Sequence, residues 1–250
     1  MIFIIPTQAS PKAVGASNWV FTEIANFRLI SGISNIGGSN KVPLGLEFEL
    51  KDGWKIYWRN PGDAGYPPEI NFGNNENLSE IKWFWPAPKR FIFEDMQNFG
   101  YEKKIIFPIT ATVKTTKEPL VLQANITALA CKDICVPIDG DLNLTIPVGN
   151  PVKTEHAASI YSFEKRVPTK ATWPGFKILS VNANKNSILI KVKSKHPLIK
   201  PDVFIESENG FRFGKPEVSI SNNRLNASFI LSNDIPIDTN LAALPITITV

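Results

Sequence analysis

The chain has 250 residues, 43% of them hydrophobic and 20% charged, which indicates a folded globular protein rather than a disordered one. Its 27 basic and 23 acidic residues leave a net charge of only +4, too small to argue for a nucleic-acid-binding protein. No run of 18 apolar residues is present, so the sequence predicts no membrane-spanning helix.

The first residues resemble the end of a targeting segment. Residues 1–5 are apolar but too short for a complete signal-peptide core, and no basic residue precedes them. Residues 7–9 followed by Ser10 resemble a small-residue cleavage site. We therefore expect residues 1–9 to be a signal-peptide remnant whose beginning is missing; an ordinary frayed N-terminus is the alternative.

Short alternating apolar segments between turn residues predict a β-sandwich over residues 10–150. A strong turn dipeptide, Asp52–Gly53, separates the first two of these segments. A second turn is predicted at Asp139–Gly140. The predicted strands cover residues 44–50, 54–58, 105–113, 120–129 and 142–146.

A second β-rich region follows a boundary rich in proline and glycine. Residues 151–170 are predicted to be a linker with a short helix over 154–166, capped by Thr154. The strand pattern then resumes and predicts a second sandwich over residues 171–250, with turns at 208–210 and 222–223. Its strands are expected at 176–181, 187–192, 202–206, 217–221, 224–231 and 244–250. The lysines of residues 191–195 are expected on a solvated strand face. The predicted fold class is all-β, with two sandwich domains in tandem.

Cys131 and Cys135 are the two cysteines of the chain. In an extended strand their Cα atoms would lie about 13 Å apart, whereas a disulfide needs them within about 7 Å. A bond therefore requires a turn over residues 132–134, either a three-residue hairpin loop or one helical turn.

The residues alone leave several roles open for this pair. A short exposed bridge exchanges with other thiols readily, which favours a redox role. A purely structural bridge that closes so small a loop would add roughly 2 kcal/mol to stability. The pair could also be two free buried thiols or part of a metal site. Zinc would need two further ligands, and His156 and His196 are poorly spaced from the cysteines to supply them. Copper(I) can use two thiolates. We predict neither a metal site nor a cofactor.

Five segments in order carry a family resemblance, at residues 52–65, 67–68, 85–90, 99–101 and 130–137. Together they closely resemble the N-terminal periplasmic region of the DsbD family of thiol–disulfide interchange proteins. Within it they are most similar to the ScsB-like branch, named for suppression of copper sensitivity. The resemblance is most specific over residues 44–146.

The resemblance implies two immunoglobulin-like sandwiches in the periplasm and a redox-active pair, Cys131 and Cys135. The pair would accept electrons from a thioredoxin-like domain or a membrane electron transporter of the DsbD type and reduce oxidised periplasmic proteins. The sequence does not say which cysteine attacks; we favour Cys135. Since a membrane channel and a thioredoxin-like domain are absent from the chain, we expect either a fragment or a protein served by a separate transporter. The alternative function is a non-enzymatic periplasmic binding or copper-handling module with a structural disulfide.

The family also shields its disulfide with a mobile cap that bears an aromatic residue. By position, the resemblance implies that Phe99, with Tyr101 beside it, forms the cap, and that Tyr57 lies near the cysteines. The alternative is that Phe99 and Tyr101 are core aromatics. The segment 59–63 is expected either to line the approach to the cysteines or to cap a strand end. The tryptophans at 54, 58, 83 and 85 are expected to pack in the core.

Overall fold

The computed structural model describes residues 14–73, 75–93, 95–170, 175–184, 186–207, 212–232 and 245–250. The predicted signal-peptide remnant and the turn predicted at 208–210 lie outside these residues. The described part of the chain contains seventeen strands and one helix, which confirms the all-β fold class. It contains no helix that is long and apolar enough to span a membrane.

The elements follow one another along the chain as short and medium strands interrupted by one helix. They are β1 Val20–Phe21, β2 Ala25–Ser31, β3 Lys41–Leu50, β4 Lys55–Gly62, β5 Glu69–Asn71, β6 Leu78–Trp83, β7 Lys89–Phe93, β8 Met96–Glu102, β9 Lys104–Val113, β10 Leu120–Cys131, β11 Cys135–Ile146, α1 Ala157–Glu164, β12 Phe176–Ala183, β13 Ser187–Ser194, β14 Phe204–Ser207, β15 Glu217–Ile220, β16 Asn226–Ser232 and β17 Ile246–Thr249.

The chain divides into two compact units that interleave in sequence. The first unit contains residues 1–56, 67–86 and 101–165, and the second contains 57–66, 87–100 and 166–250. Strand β4 therefore begins in the first unit and continues in the second. The two units are described separately below.

In the first unit, five antiparallel strands form a sheet in the order β1-β2-β3-β9-β6. Strands β10 and β11 form a long hairpin, and β5 and the first two residues of β4 pair with β10. Alternate residues of these strands are buried, as a half-buried sheet requires. The aromatic part of the core centres on Phe107, whose ring contacts those of Phe48, Trp83, Trp85 and Tyr101.

Helix α1 covers the second face of the central strands. It packs on β3 and β9, and as a result β3 is buried on both faces near its middle rather than on alternate residues. Gly45 makes this close approach possible, because a Cβ there would lie 3.2 Å from Cγ1 of Ile160 in the helix.

The helix begins later than the sequence predicts. Its first residue is Ala157 and its N-cap is His156, whose side chain makes no capping hydrogen bond. The Thr154 hydroxyl instead accepts a hydrogen bond from the backbone N–H of His156 at 3.2 Å and donates one to the carbonyl of Ser31. Thr154 thus connects the turn before the helix to β2. The helix is therefore shorter than the predicted segment 154–166.

The turn predicted at Asp139–Gly140 is wrong. Strand β11 continues through both residues, and Gly140 lies opposite Ile126 of β10. Glycine is needed here for space, because a Cβ at Gly140 would lie 2.9 Å from Cγ1 of Val20 in β1. A glycine that permits a close approach inside a strand has the same sequence signal as a glycine in a turn.

A buried ion-pair network lies on β2, β3 and β9. The Glu47 side chain is only 3% exposed, and its carboxylate accepts hydrogen bonds from Arg28 Nε at 2.7 Å and from Lys104 Nζ at 2.5 Å. Burial alone would raise the pKa of Glu47, but the hydrogen bonds from Lys104 and Arg28 hold it below its ordinary value. Removing one partner of such a buried pair is costly because the other charge remains buried.

His156 makes stability depend on pH near neutrality. Burial is the main cause that lowers the pKa of His156 below 6.5, followed by the positive charge of Arg28. The carboxylates of Glu155 and Glu47 oppose this shift, and the charge of Lys104 lowers the pKa further. The unfolded chain therefore binds a proton more readily than the folded chain. Stability contributed by neutral His156 is fully present above pH 6.5 and is lost as the pH falls toward the lower folded pKa.

We expect His156→Gln to flatten the fall in free energy of unfolding between roughly pH 7 and pH 5, because this window lies above the titration of Glu47. Urea unfolding at several pH values measures it. His196, which is exposed, supplies the matched control, and His196→Gln is expected to keep the wild-type slope. An unchanged slope in His156→Gln would assign the pH dependence to another group.

In the second unit, strands β4, β8 and β7 are neighbours in that order, and β12, β13, β16 and β15 form a four-stranded antiparallel sheet. Strands β14 and β17 pair with each other. The core is formed by alternate residues of β13, β14 and β16, of which Ile190, Val192 and Phe229 are fully buried. The turn predicted at 222–223 is present between β15 and β16.

Candidate functional site

The two cysteines lie at the end of the longest hairpin in the described chain. Strands β10 and β11 pair over twelve successive positions, from Leu120 opposite Ile146 to Cys131 opposite Cys135. Three residues, 132–134, therefore form the loop, and the backbone N–H of Lys132 donates to the carbonyl of Ile134 at 3.0 Å. The hairpin alternative is confirmed, and the helical turn is not formed.

Cys131 and Cys135 form a disulfide, with their Cα atoms 4.1 Å apart. Residues directly opposite each other on antiparallel strands lie close together, so the hairpin register itself brings the two thiols within bonding distance. The described residues contain no group of three or more His, Cys, Asp and Glu residues that could hold a metal ion.

The two halves of the bridge differ in access. Cys131 is 8% exposed, because β10 has β4 on its other side and Lys55 of that strand lies opposite Cys131. Cys135 is exposed, and it begins β11, which is an edge strand of its sheet. We therefore expect an external thiolate to reach Cys135 more readily than Cys131.

The loop presents one apolar and two charged side chains beside the exposed sulfur. Ile134, immediately before Cys135, is 68% exposed. The stem of Lys132 lies over Gly53, in the turn between β3 and β4, so that a Cβ on Gly53 would come within 2.9 Å of Lys132 Cε. Gly53 also has a φ of 84°, which favours glycine. The predicted Asp52–Gly53 turn is thus confirmed, and it lies beside the cysteine loop.

Tyr57, a predicted shielding residue, follows Lys55 and Ile56 on β4. It is 6% exposed, and burial raises the pKa of its phenol. Its ring lies against the backbone of Gly65, where a Cβ would come within 2.2 Å of the ring. Any side chain at position 65 would clash with the Tyr57 ring, so this packing requires glycine there. Shielding of the disulfide by Tyr57 stays a prediction.

The two predicted cap residues are both packed among other side chains. Phe99 is 8% exposed and meets the ring of Phe204 edge-on at 5.0 Å between centroids. Tyr101 is 6% exposed, packs edge-on against Phe107, and donates its hydroxyl proton to the carbonyl of Pro86 at 2.6 Å. Their role as a cap over the disulfide stays a prediction.

The segment 59–63, for which two roles were open, is held by residues 202–206 within the second unit. We call residues 202–206 the β14 anchor. Arg59 donates two hydrogen bonds to the Glu206 carboxylate, each 2.7 Å long. The amide of Asn60 donates to the carbonyl of Ile205 at 3.1 Å. This part of β4 is therefore fixed by paired charges and backbone contacts.

The β14 anchor holds β7 in the same way. Arg90, whose side chain is 7% exposed, donates two hydrogen bonds to Asp202, at 3.1 and 3.0 Å, and one to the carbonyl of Val203 at 2.7 Å. Phe204 lies between these charged contacts, with ring centroids 5.8 Å from Trp58 and 5.0 Å from Phe99. The anchor was not found from the sequence.

A signal for the β14 anchor is nevertheless present in the sequence. Asp202, Phe204 and Glu206 are spaced by two residues, so they share one face of a strand. A strand face with an aromatic residue between two carboxylates fits a partner that presents arginines and aromatic rings. Nothing in the local sequence says that the partner is the segment that contains Trp58, Arg59 and Arg90.

The cysteine pair lies in a segment that is similar to a known protein family. Residues 34–147 match the family described as thiol:disulfide interchange protein DsbD, N-terminal. Residues 166–250 match a domain of unknown function, DUF8393. No curated protein matches the chain. The resemblance inferred from the sequence is thus confirmed for the segment that carries Cys131 and Cys135.

A solved structure of a related domain is similar over nearly the whole chain. The crystal structure of the N-terminal periplasmic domain of ScsB from Proteus mirabilis has 22% sequence identity and a TM-score of 0.72, covering 95% of this chain and 94% of that one. At this identity the similarity shows a shared fold. The DsbD n-terminal domain of Neisseria meningitidis in the reduced form aligns with 14% identity, over 51% of this chain and 90% of that one, with a TM-score of 0.26.

Proposed function

Because residues 34–147 match the N-terminal family of thiol:disulfide interchange protein DsbD, we propose that this chain is a periplasmic thiol–disulfide exchange protein. Its pair, Cys131 and Cys135, accepts two electrons from a thioredoxin-like domain or a membrane electron transporter and passes them to oxidised periplasmic proteins. The observation that carries the proposal is the unequal exposure of the two cysteines at the tip of the β10–β11 hairpin.

Reduction of the pair proceeds in two exchange steps. A partner thiolate attacks the sulfur of Cys135, a partner–Cys135 disulfide forms, and the Cys131–Cys135 bond breaks with Cys131 leaving as a thiolate. The second partner thiol, deprotonated, then attacks the partner's first sulfur. This step makes the partner disulfide and releases Cys135 as a thiolate, so the partner is oxidised by two electrons and this chain is reduced by two.

Transfer of the two electrons from the reduced pair to an oxidised protein uses the same two cysteines in the reverse order. The Cys135 thiolate attacks a disulfide of an oxidised protein and forms a mixed disulfide, with one substrate sulfur leaving as a thiolate. Cys131, held opposite by the hairpin register, then attacks Cys135 and releases the second substrate thiolate. The buried thiol thus serves as the resolving group, and its position limits the lifetime of the mixed disulfide.

The competing proposal is a structural disulfide in a binding or copper-handling module. A bridge that closes so short a loop adds only roughly 2 kcal/mol, and the hairpin is already paired over twelve positions. The hairpin therefore has little need of a covalent staple, which favours exchange chemistry.

The reduction potential of the pair decides between the two. We expect a value between roughly −180 and −270 mV, the range of working exchange proteins, from equilibration in glutathione or dithiothreitol buffers and counting of free thiols. A value well below about −300 mV is typical of structural bridges and would replace the exchange proposal with the binding module.

A further inference from the structure

The four-stranded sheet of the second unit has one face in the core and one face toward solvent. The core face of β13 is formed by Ile188, Ile190 and Val192, which are fully buried. The residues between them therefore point away from the core, since successive side chains alternate across a strand. Lys191 and Lys193 are two of these, and both are exposed.

The strand register adds a third lysine to this face. Lys177 of β12 lies directly opposite Lys193, and it is also exposed. Directly opposite side chains have Cβ atoms about 5 Å apart, and like charges at such positions are destabilising. The sequence shows the lysines of β13, but only the register reveals that a neighbouring strand reinforces them.

No acidic side chain forms an ion pair with these lysines within the described part of the chain; Glu217 of β15, opposite Ile230, is on the same outward face, two strands away from β13. On β16, Asn226 lies opposite Lys193 and Ser228 lies opposite Lys191. None of the ion pairs formed by described residues involves Lys177, Lys191 or Lys193. The positive charge of these three lysines is therefore not neutralised by an ion pair with a described residue.

An apolar pair lies beside the lysines. Leu189 of β13 is opposite Ile230 of β16, and both share the outward face with Lys191 and Ser228 because they are two residues away along their strands. Ile230 is 40% exposed and Leu189 is half-buried. We call Lys177, Leu189, Lys191, Lys193 and Ile230 the lysine face.

The charge of the whole chain is concentrated in the same region. Residues 166–250 contain eleven Lys and Arg against six Asp and Glu, whereas residues 1–165 contain sixteen against seventeen. The net charge of +4 is thus carried entirely by the C-terminal third. Such asymmetry indicates an interaction with an anionic surface.

We propose that the lysine face docks on an anionic lipid surface. Protein–protein interfaces are depleted in lysine and enriched in arginine and aromatic residues, and surfaces for single-stranded nucleic acid offer aromatic rings for stacking. The lysine face has neither feature. Flexible lysines around a small apolar patch instead match the requirements of a lipid headgroup region, where the charges remain hydrated and the apolar side chains enter the interface.

The test is cosedimentation of the full chain with vesicles. We expect binding to vesicles that contain phosphatidylglycerol, little binding to phosphatidylcholine vesicles, and loss of binding as salt is raised. Since each lysine near an anionic membrane contributes roughly a fivefold factor, the triple variant Lys177→Gln, Lys191→Gln, Lys193→Gln is expected to weaken binding roughly a hundredfold.

A second triple variant separates the face from net charge. Lys41, Lys51 and Lys117 are exposed residues of the first unit, and changing all three to Gln removes the same charge elsewhere. Retention of vesicle binding by this variant supports the proposal. Equal loss in both triple variants, or no vesicle binding by the wild-type chain, would overturn it. Binding to polyglutamate but not to vesicles would assign the face to an acidic protein and would also overturn it.

Discussion

Replacement of either cysteine by serine is expected to abolish electron transfer, but the single thiols that remain in the two variants are expected to differ strongly in reactivity. Cys131→Ser leaves the exposed Cys135, and Cys135→Ser leaves Cys131, which is 8% exposed. Because reaction with an external disulfide requires access to the thiol, Cys135 in the first variant is expected to react roughly tenfold faster with an aromatic disulfide reagent than Cys131 in the second.

The same two variants report on the order of the exchange steps. Cys131→Ser lacks the buried resolving thiol, so its mixed disulfide through Cys135 is expected to accumulate and survive on a non-reducing gel. As a control, the rates at which Cys135 and Cys131 react with the aromatic disulfide reagent are measured again in concentrated urea. In the unfolded chains the two thiols are expected to react alike. Faster native reaction of Cys131 would reverse the assigned roles and leave the pair redox-active.

Replacement of Phe204 by alanine is expected to destabilise the second unit strongly. The residue is 4% exposed, and its ring lies between Trp58 and Phe99, with the guanidinium of Arg90 centred 5.1 Å from the ring. Truncation of a buried Phe costs about 3–5 kcal/mol, through lost burial and the cavity left behind. Urea unfolding followed by tryptophan fluorescence measures it, since Trp58 is fully buried beside this ring.

Phe21→Ala is the matched control for this substitution. Phe21 is 73% exposed, and the change is expected to alter the free energy of unfolding by no more than about 0.5 kcal/mol. If Phe204→Ala cost no more than this control, the aromatic contacts of the β14 anchor would make no net contribution to folding.

The strands and the cysteine hairpin were predictable because their signals are local. Alternation over residues 44–50 and 120–129, together with the Asp52–Gly53 turn, depends on side chains next to one another in sequence. The spacing of Cys131 and Cys135 and the distance that a disulfide allows predicted a turn between them, and the structure chose the three-residue hairpin loop over the helical turn. The proposal of a redox role for the pair came from the family resemblance, because spacing alone left several roles open.

The errors arose where a residue serves a partner distant in sequence. Gly140 makes room for Val20 inside a strand, although a dipeptide of this kind is typical of turns. Thr154 bonds to Ser31 instead of capping the helix directly. The β14 anchor depends on pairs such as Arg59 with Glu206, which are 147 residues apart. Local patterns contain no information about such pairings.

The interleaving of the two units has a consequence for how this protein can be inherited. Residues 57–66 and 87–100 belong to the second unit although they lie among residues of the first. A recombination event that kept residues 1–165 and discarded the rest would leave Trp58, Phe99 and Arg90 without Phe204 and Asp202. The cysteine-bearing part and its C-terminal companion are therefore expected to pass between genomes as one coding segment and to accumulate compensating substitutions across the 147 residues that separate Arg59 from Glu206.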